Sequence, residues 1–143
     1  MKARFAVLMF VTALVMGAFA STGAATPPQP VTFSDQIGDG FVGTWSATGV
    51  VNDSGSLVEP SVRFVGNGEI HVVREMTGSS GTITMRFQSK VTSVVGDVVT
   101  FEGQWVIVSG TGLYANLHGQ GERTATLAGG VITETLTGQA HFD

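Results

Sequence analysis

The stretch Val98-Val-Thr-Phe-Glu-Gly-Gln-Trp-Val-Ile-Val108 decides the fold. Val99, Phe101, Trp105 and Ile107 fall on one side at a spacing of two, and Thr100, Glu102 and Gln104 on the other. This is the pattern of a β-strand with one dry face. Upstream, Ile83, Met85 and Phe87 oppose Thr82, Thr84, Arg86 and Gln88 in the same way. Outward from these two strands, turn signals recur at roughly the 8–12 residue spacing of barrels and sandwiches. They are Asn52-Asp53-Ser54-Gly55, Gly66-Asn67-Gly68, Gly78-Ser79-Ser80-Gly81, Gly96-Asp97, Ser109-Gly110-Thr111-Gly112 and Ala128-Gly129-Gly130. The strands between them are expected over residues 41–51, 61–65, 69–76, 82–90, 98–108, 113–118, 121–127 and 131–142, with 91–95 either continuing its neighbour or standing alone.

No segment carries a helical period, so the fold class is all-β. Short hairpins joining about eight strands make a small closed antiparallel barrel, with a two-sheet sandwich as the alternative. Glycines inside strands, at Gly43, Gly49, Gly103 and Gly138, suit the sharp coiling of a small barrel.

Ahead of the strands the chain has the three parts of a secretory signal: Lys2 and Arg4, the apolar run from Phe5 to Met16, and the small residues ending Ala18-Phe19-Ala20. Residues 1–25 are therefore read as a signal peptide, cleaved after Ala20 or Ala25. The apolar run is shorter than the ~20 residues of a membrane-spanning helix, so export and release, into the extracellular space or a periplasm, is the expectation. Three prolines, Pro27, Pro28 and Pro30, mark residues 26–40 as a mobile leader, leaving 41–143 as a single barrel domain. The chain has no cysteine, so neither a disulfide framework nor a lipid-modified cysteine is available. Without Lys2 and Arg4, five basic residues face eleven acidic ones, a net charge of −6. An acidic chain without a basic stripe is a poor fit to nucleic acid. Few aromatics and short strands likewise argue against stable insertion as a membrane barrel.

The chemistry-bearing patterns are sparse. His71, His118 and His141 are distant in sequence and lack metal-ligand spacing, so no metal is expected, and no cofactor. Gly-x-Ser-x-Gly is absent and a cysteine nucleophile is excluded. More informative are charges in phase with dry faces: Arg74 with Ile70, Val72 and Met76, Arg123 with Ala125 and Leu127, and Glu134 with Ile132 and Leu136. A charge inside a barrel must be paired, so Arg74, Glu134 and Arg123 are expected to meet in the lumen. They would form either a structural ion pair or the polar anchor of an apolar pocket. Trp45, Trp105, Phe87 and Tyr114 supply aromatic bulk that is core or pocket lining.

The run from Trp105 to Gly121, with Gly110, Thr111, Gly112, Tyr114, Leu117 and Gly119, resembles the G-T-G-x-[YF]-x-x-[LA]-x-G signature of allene oxide cyclase-like barrels and plant dirigent proteins. Gly43-Thr-Trp45, Asp53-Ser-Gly55 and the closing segment 132–138 look like small exported bacterial members of that superfamily. The resemblance implies an eight-stranded barrel with an apolar cavity, in families that often trimerise, and a signature that is a structural turn rather than a catalytic set. The resulting expectation is a secreted barrel that binds a small hydrophobic molecule in its lumen, with non-covalent cyclase or isomerase chemistry as an extension and homo-oligomers, trimer or dimer, as its assembly. The alternative is a non-catalytic structural or interaction protein of the cell envelope with a fully packed barrel.

Overall fold

The computed structural model describes residues 24–143; the signal-peptide reading falls almost entirely outside them. Eight antiparallel strands follow one another around a closed barrel. They are β1 (Gln29–Ile37), β2 (Val42–Gly49), β3 (Asp53–Gly66), β4 (Glu69–Gly78), β5 (Thr82–Val95), β6 (Val98–Gly110), β7 (Leu117–Ala128) and β8 (Val131–Phe142). Each strand pairs with the next, and β1 closes the ring on β8 with Phe33 opposite Leu136 and Asp35 opposite Glu134. The sandwich alternative is excluded, because closure leaves no sheet edge.

Residues 26–40 are not a leader. The alternation Val31, Phe33, Asp35, Ile37 buries one face of β1, and Thr26 bonds through both its backbone and its hydroxyl to Phe142. The prolines sit before the strand or in its first residues, where a missing N–H is tolerated. Two other expectations fail locally. Asp53-Ser54-Gly55 opens β3 instead of turning the chain, the bend lying at 50–52, and residues 113–116 belong to a 3-10 turn and its exit, with β7 starting at Leu117. β3 runs through Pro60 because the register shifts between Val58 and Ser61 place the proline in a bulge.

Side chains fill the barrel in three layers. Toward the end with the β3–β4 and β5–β6 hairpins lie Ile37, Ile70, Phe101 and Ala125. At the opposite end are Phe33, Trp45, Leu57, Met76, Ile83, Met85, Trp105, Ile107 and Leu136. Phe33 holds this second layer together, its ring 5.6 Å from Trp105 in an edge-to-face arrangement and 6.2 Å from Trp45. Both indoles satisfy their N–H on backbone carbonyls, Trp45 on Thr77 and Trp105 on Glu122. Between the two apolar layers lies a belt of charge.

Candidate functional site

The belt is built from five ionisable side chains on five strands: Asp35 (β1), Glu59 (β3), Arg74 (β4), Arg123 (β7) and Glu134 (β8). Arg74 is fully buried at its centre. Its Nη1 donates to Asp35 Oδ2 at 2.6 Å and to Glu134 Oε1, while its Nε donates to Glu59 Oε1 at 3.1 Å. Arg123 takes the other face of Glu134, donating from Nε to Oε2 at 2.7 Å, and from Nη1 to the Ser89 hydroxyl at 2.9 Å. The Phe87 ring lies under both guanidinium groups, 4.3 Å from Arg74 Cζ and 5.2 Å from Arg123 Cζ. Arg74, Arg123 and Glu134 therefore meet in the lumen as the strand phase requires.

Two guanidiniums against three carboxylates leave one surplus negative charge, and burial decides which carboxyl gives it up. Burial pushes Asp35 up to about 8, reinforced by the charge of Glu134 across the β1–β8 pair and opposed by Arg74. Burial works against ionised Glu134 too, but Arg74 and Arg123 outweigh it and hold Glu134 below the usual carboxylate range. Burial thus makes Asp35 the carboxyl that favours its protonated form at neutral pH, while Glu134 favours its ionised form between the two arginines. Among the described residues Asp35 Oδ1 has no hydrogen-bond partner.

The other sequence-marked residues divide. Trp45 and Trp105 are core, as above. Tyr114 is a clasp at the barrel rim: its hydroxyl donates to Asp53 Oδ2 at 2.7 Å, and Asp53 also accepts from the Ser79 hydroxyl and from the backbone N–H groups of Ser54, Ser79 and Ser80. These bonds, Tyr114 first, hold Asp53 far below the ordinary carboxylate range, while burial and that same bond push Tyr114 up to about 12. The glycine signature explains itself here. A Cβ on Gly110 would stand 2.3 Å from the Tyr114 carbonyl oxygen, and Gly112 has φ +61°. Thr111 between them accepts from the Thr82 N–H at 3.1 Å, and Gly119 packs on Ala140 and Ile107. The signature thus locks the β6–β7 connection onto the β4–β5 hairpin. Gly110→Ala is expected to cost about 2–3 kcal/mol, the scale of forced overpacking, measured by urea denaturation; an unchanged midpoint contradicts this account of the motif.

A sizeable hollow lies outside the barrel. A trough of about 970 Å³ crosses the outer faces of β3 to β8. Two adjacent rows of register partners line it. One runs Arg63, His71, Gln88, Gln104, Glu122, Thr137, and the other Ser61, Val73, Arg86, Val106, Gln120, Gln139. A smaller hollow of about 370 Å³ shares Gln88 and Gln104 with it and adds Glu69, Lys90 and Glu102. Glu69 accepts from His71 Nε2 at 2.8 Å and from Gln88 at 2.7 Å, which lowers its pKa. Sequence reading treated these outward residues only as the wet sides of strands; their lateral alignment depends on register, which needs the paired strands.

Geometry and charge define the class: a closed eight-stranded antiparallel barrel with a charged belt sealed in its core and a polar trough on its flank. No family model, curated protein or solved structure matches the chain.

Proposed function

We propose that this chain is an exported, non-catalytic binding protein whose barrel is a rigid scaffold and whose outer trough takes an extended polar chain bearing carboxylates, of the kind an acidic oligosaccharide presents. The observation that carries the reading is where space and polar groups coincide. The trough offers four glutamine side chains and two arginines on a concave surface, while Phe33, Arg74, Met76, Ile83, Met85 and Leu136 fill the lumen at 0% exposure. A small hydrophobic molecule in the lumen would have to displace these side chains. A cyclase or isomerase substrate would have to reach Arg74 or Glu134 through an apolar layer. Export is supported by the charge, apolar run and small residues of 1–25.

The ligand class follows from the lining. Glutamine amides donate and accept together, which suits a hydroxyl-rich chain. Arg63 and Arg86 against Glu122 leave the trough locally positive on a chain of net charge −4, which favours carboxylates. Trp105 lines the trough but is only 2% exposed, so it offers no stacking platform for a neutral sugar face.

Isothermal titration with an oligogalacturonate is expected to show binding that weakens at least tenfold in the Arg63→Ala/Arg86→Ala double variant and falls with salt. A neutral cello-oligosaccharide of equal length should bind more weakly. Equal binding by the double variant would overturn the assignment of the trough.

A further inference from the structure

We infer that His118, His141 and Asp143 form a binding site for a late-transition divalent cation such as zinc. The two histidines, 23 positions apart in the chain, are direct register partners at the start of β7 and the end of β8. Their rings stack with centroids 5.4 Å apart and planes 22° from parallel. Both turn Nε2 toward the same carboxylate: His118 Nε2 is 2.7 Å from Asp143 Oδ2, and His141 Nε2 is 3.4 Å from Asp143 Oδ1. The Asp143 backbone is itself fixed, its N–H donating to the Asn116 carbonyl at 3.1 Å.

Two imidazole nitrogens and a carboxylate are the ligand set that zinc takes when it keeps a fourth position for water. Imidazole donors select zinc, copper and nickel over magnesium and calcium, which want oxygen alone. The donors do not already surround one point, and among the described residues no group of three or more His, Asp or Glu does. The Asp143 carboxylate lies against the Nε2 atoms of both imidazoles, within ion-pair distance of each. His118 and Asp143 are more than half exposed, so a rotamer change can move the carboxylate aside and let both Nε2 atoms close on a cation, each ring carrying its proton on Nδ1. The strand pair that carries the histidines supplies the preorganisation. Distance along the chain hid from the sequence that β7 and β8 lay His118 and His141 side by side.

The site lies one outward register step beyond the Gln120–Gln139 pair that ends the trough, yet it rests on different residues and stands independently of the trough's ligand. The test is titration of the untagged chain with zinc chloride, followed by calorimetry and by imidazole nitrogen chemical shifts. The expected result is one zinc per chain, with shifts at His118 and His141 Nε2. Affinity should drop at least tenfold in His118→Ala and in His141→Ala, and less in Asp143→Asn. His71→Ala should match the original chain, and magnesium should give no signal. The side chains replaced are exposed or half-buried, and circular dichroism checks that each variant folds. Zinc binding that survives the His118→Ala/His141→Ala pair, binding lost in His71→Ala, or no binding by the original chain would each overturn the proposal.

Discussion

Replacing Arg74 with alanine is expected to cost the fold about 3–5 kcal/mol, a large part of the roughly 5–15 kcal/mol by which small domains are stable. The cause is less the lost contacts than what remains. Asp35, Glu59 and Glu134 would stay in a sealed lumen with Arg123 as the one remaining cation among them, and of these three carboxyl groups Arg123 bonds only Glu134. An uncompensated buried carboxylate either takes up a proton or draws in water, and both oppose folding. Guanidinium denaturation at pH 7 measures the effect. If Arg74 is structural, Arg74→Met combined with Asp35→Asn, Glu59→Gln and Glu134→Gln should recover most of the loss, because a neutral belt asks for no counter-charge. A loss below about 1 kcal/mol for Arg74→Ala would show that water reaches the belt, and the sealed lumen would be wrong.

Stability is expected to fall as pH rises from about 4 to about 8, an unusual sign for an acidic protein. The folded state keeps Asp35 protonated up to about 8, whereas the unfolded chain releases that proton near its ordinary value of 3.8. Over that window the native state binds the extra proton, so the contribution of Asp35 is present in full below pH 4 and is lost through pH 8. The slope approaches about 1.4 kcal/mol per pH unit for one proton. Glu134 and Asp53 act in the opposite sense: both are held low, so their contributions are present at neutral pH and lost as pH falls. Thermal melts from pH 4 to pH 9 should therefore decline on the alkaline side. In Asp35→Asn, which is neutral at every pH, that decline should disappear. A decline that persists in Asp35→Asn would place the responsible group elsewhere.

The strand phases of β4, β7 and β8 carried Arg74, Arg123 and Glu134 to the lumen because single residues that break a dry face must be paired, whatever the strand order. Asp35 escaped because the prolines around Gln29 outweighed the Val31–Ile37 alternation, although that alternation is as regular as the one at 98–108. Glu59 escaped because residues 56–60 fall in no expected strand, whereas β3 runs from Asp53 to Gly66 with a bulge around Pro60. The packed lumen was not legible: whether side chains fill a barrel depends on how Phe33, Trp45 and Trp105 interlock, which no periodicity encodes. The trough and the His118–His141 pair were hidden for a related reason. Both are lateral arrangements between strands, and a sequence read along one strand at a time shows only that each member points outward.

A closed barrel interior with recognition on its flank is the reading proposed for this chain. Its most direct test is nuclear magnetic resonance mapping of the labelled chain with two probes, an oligogalacturonate and lauric acid. The oligosaccharide is expected to shift the side-chain amides of Gln88, Gln104, Gln120 and Gln139, while lauric acid leaves the methyl groups of Met76, Ile83, Met85 and Leu136 unmoved. Saturable shifts of those methyl groups with lauric acid, and none in the glutamines with the oligosaccharide, would contradict it and return the binding site to the lumen.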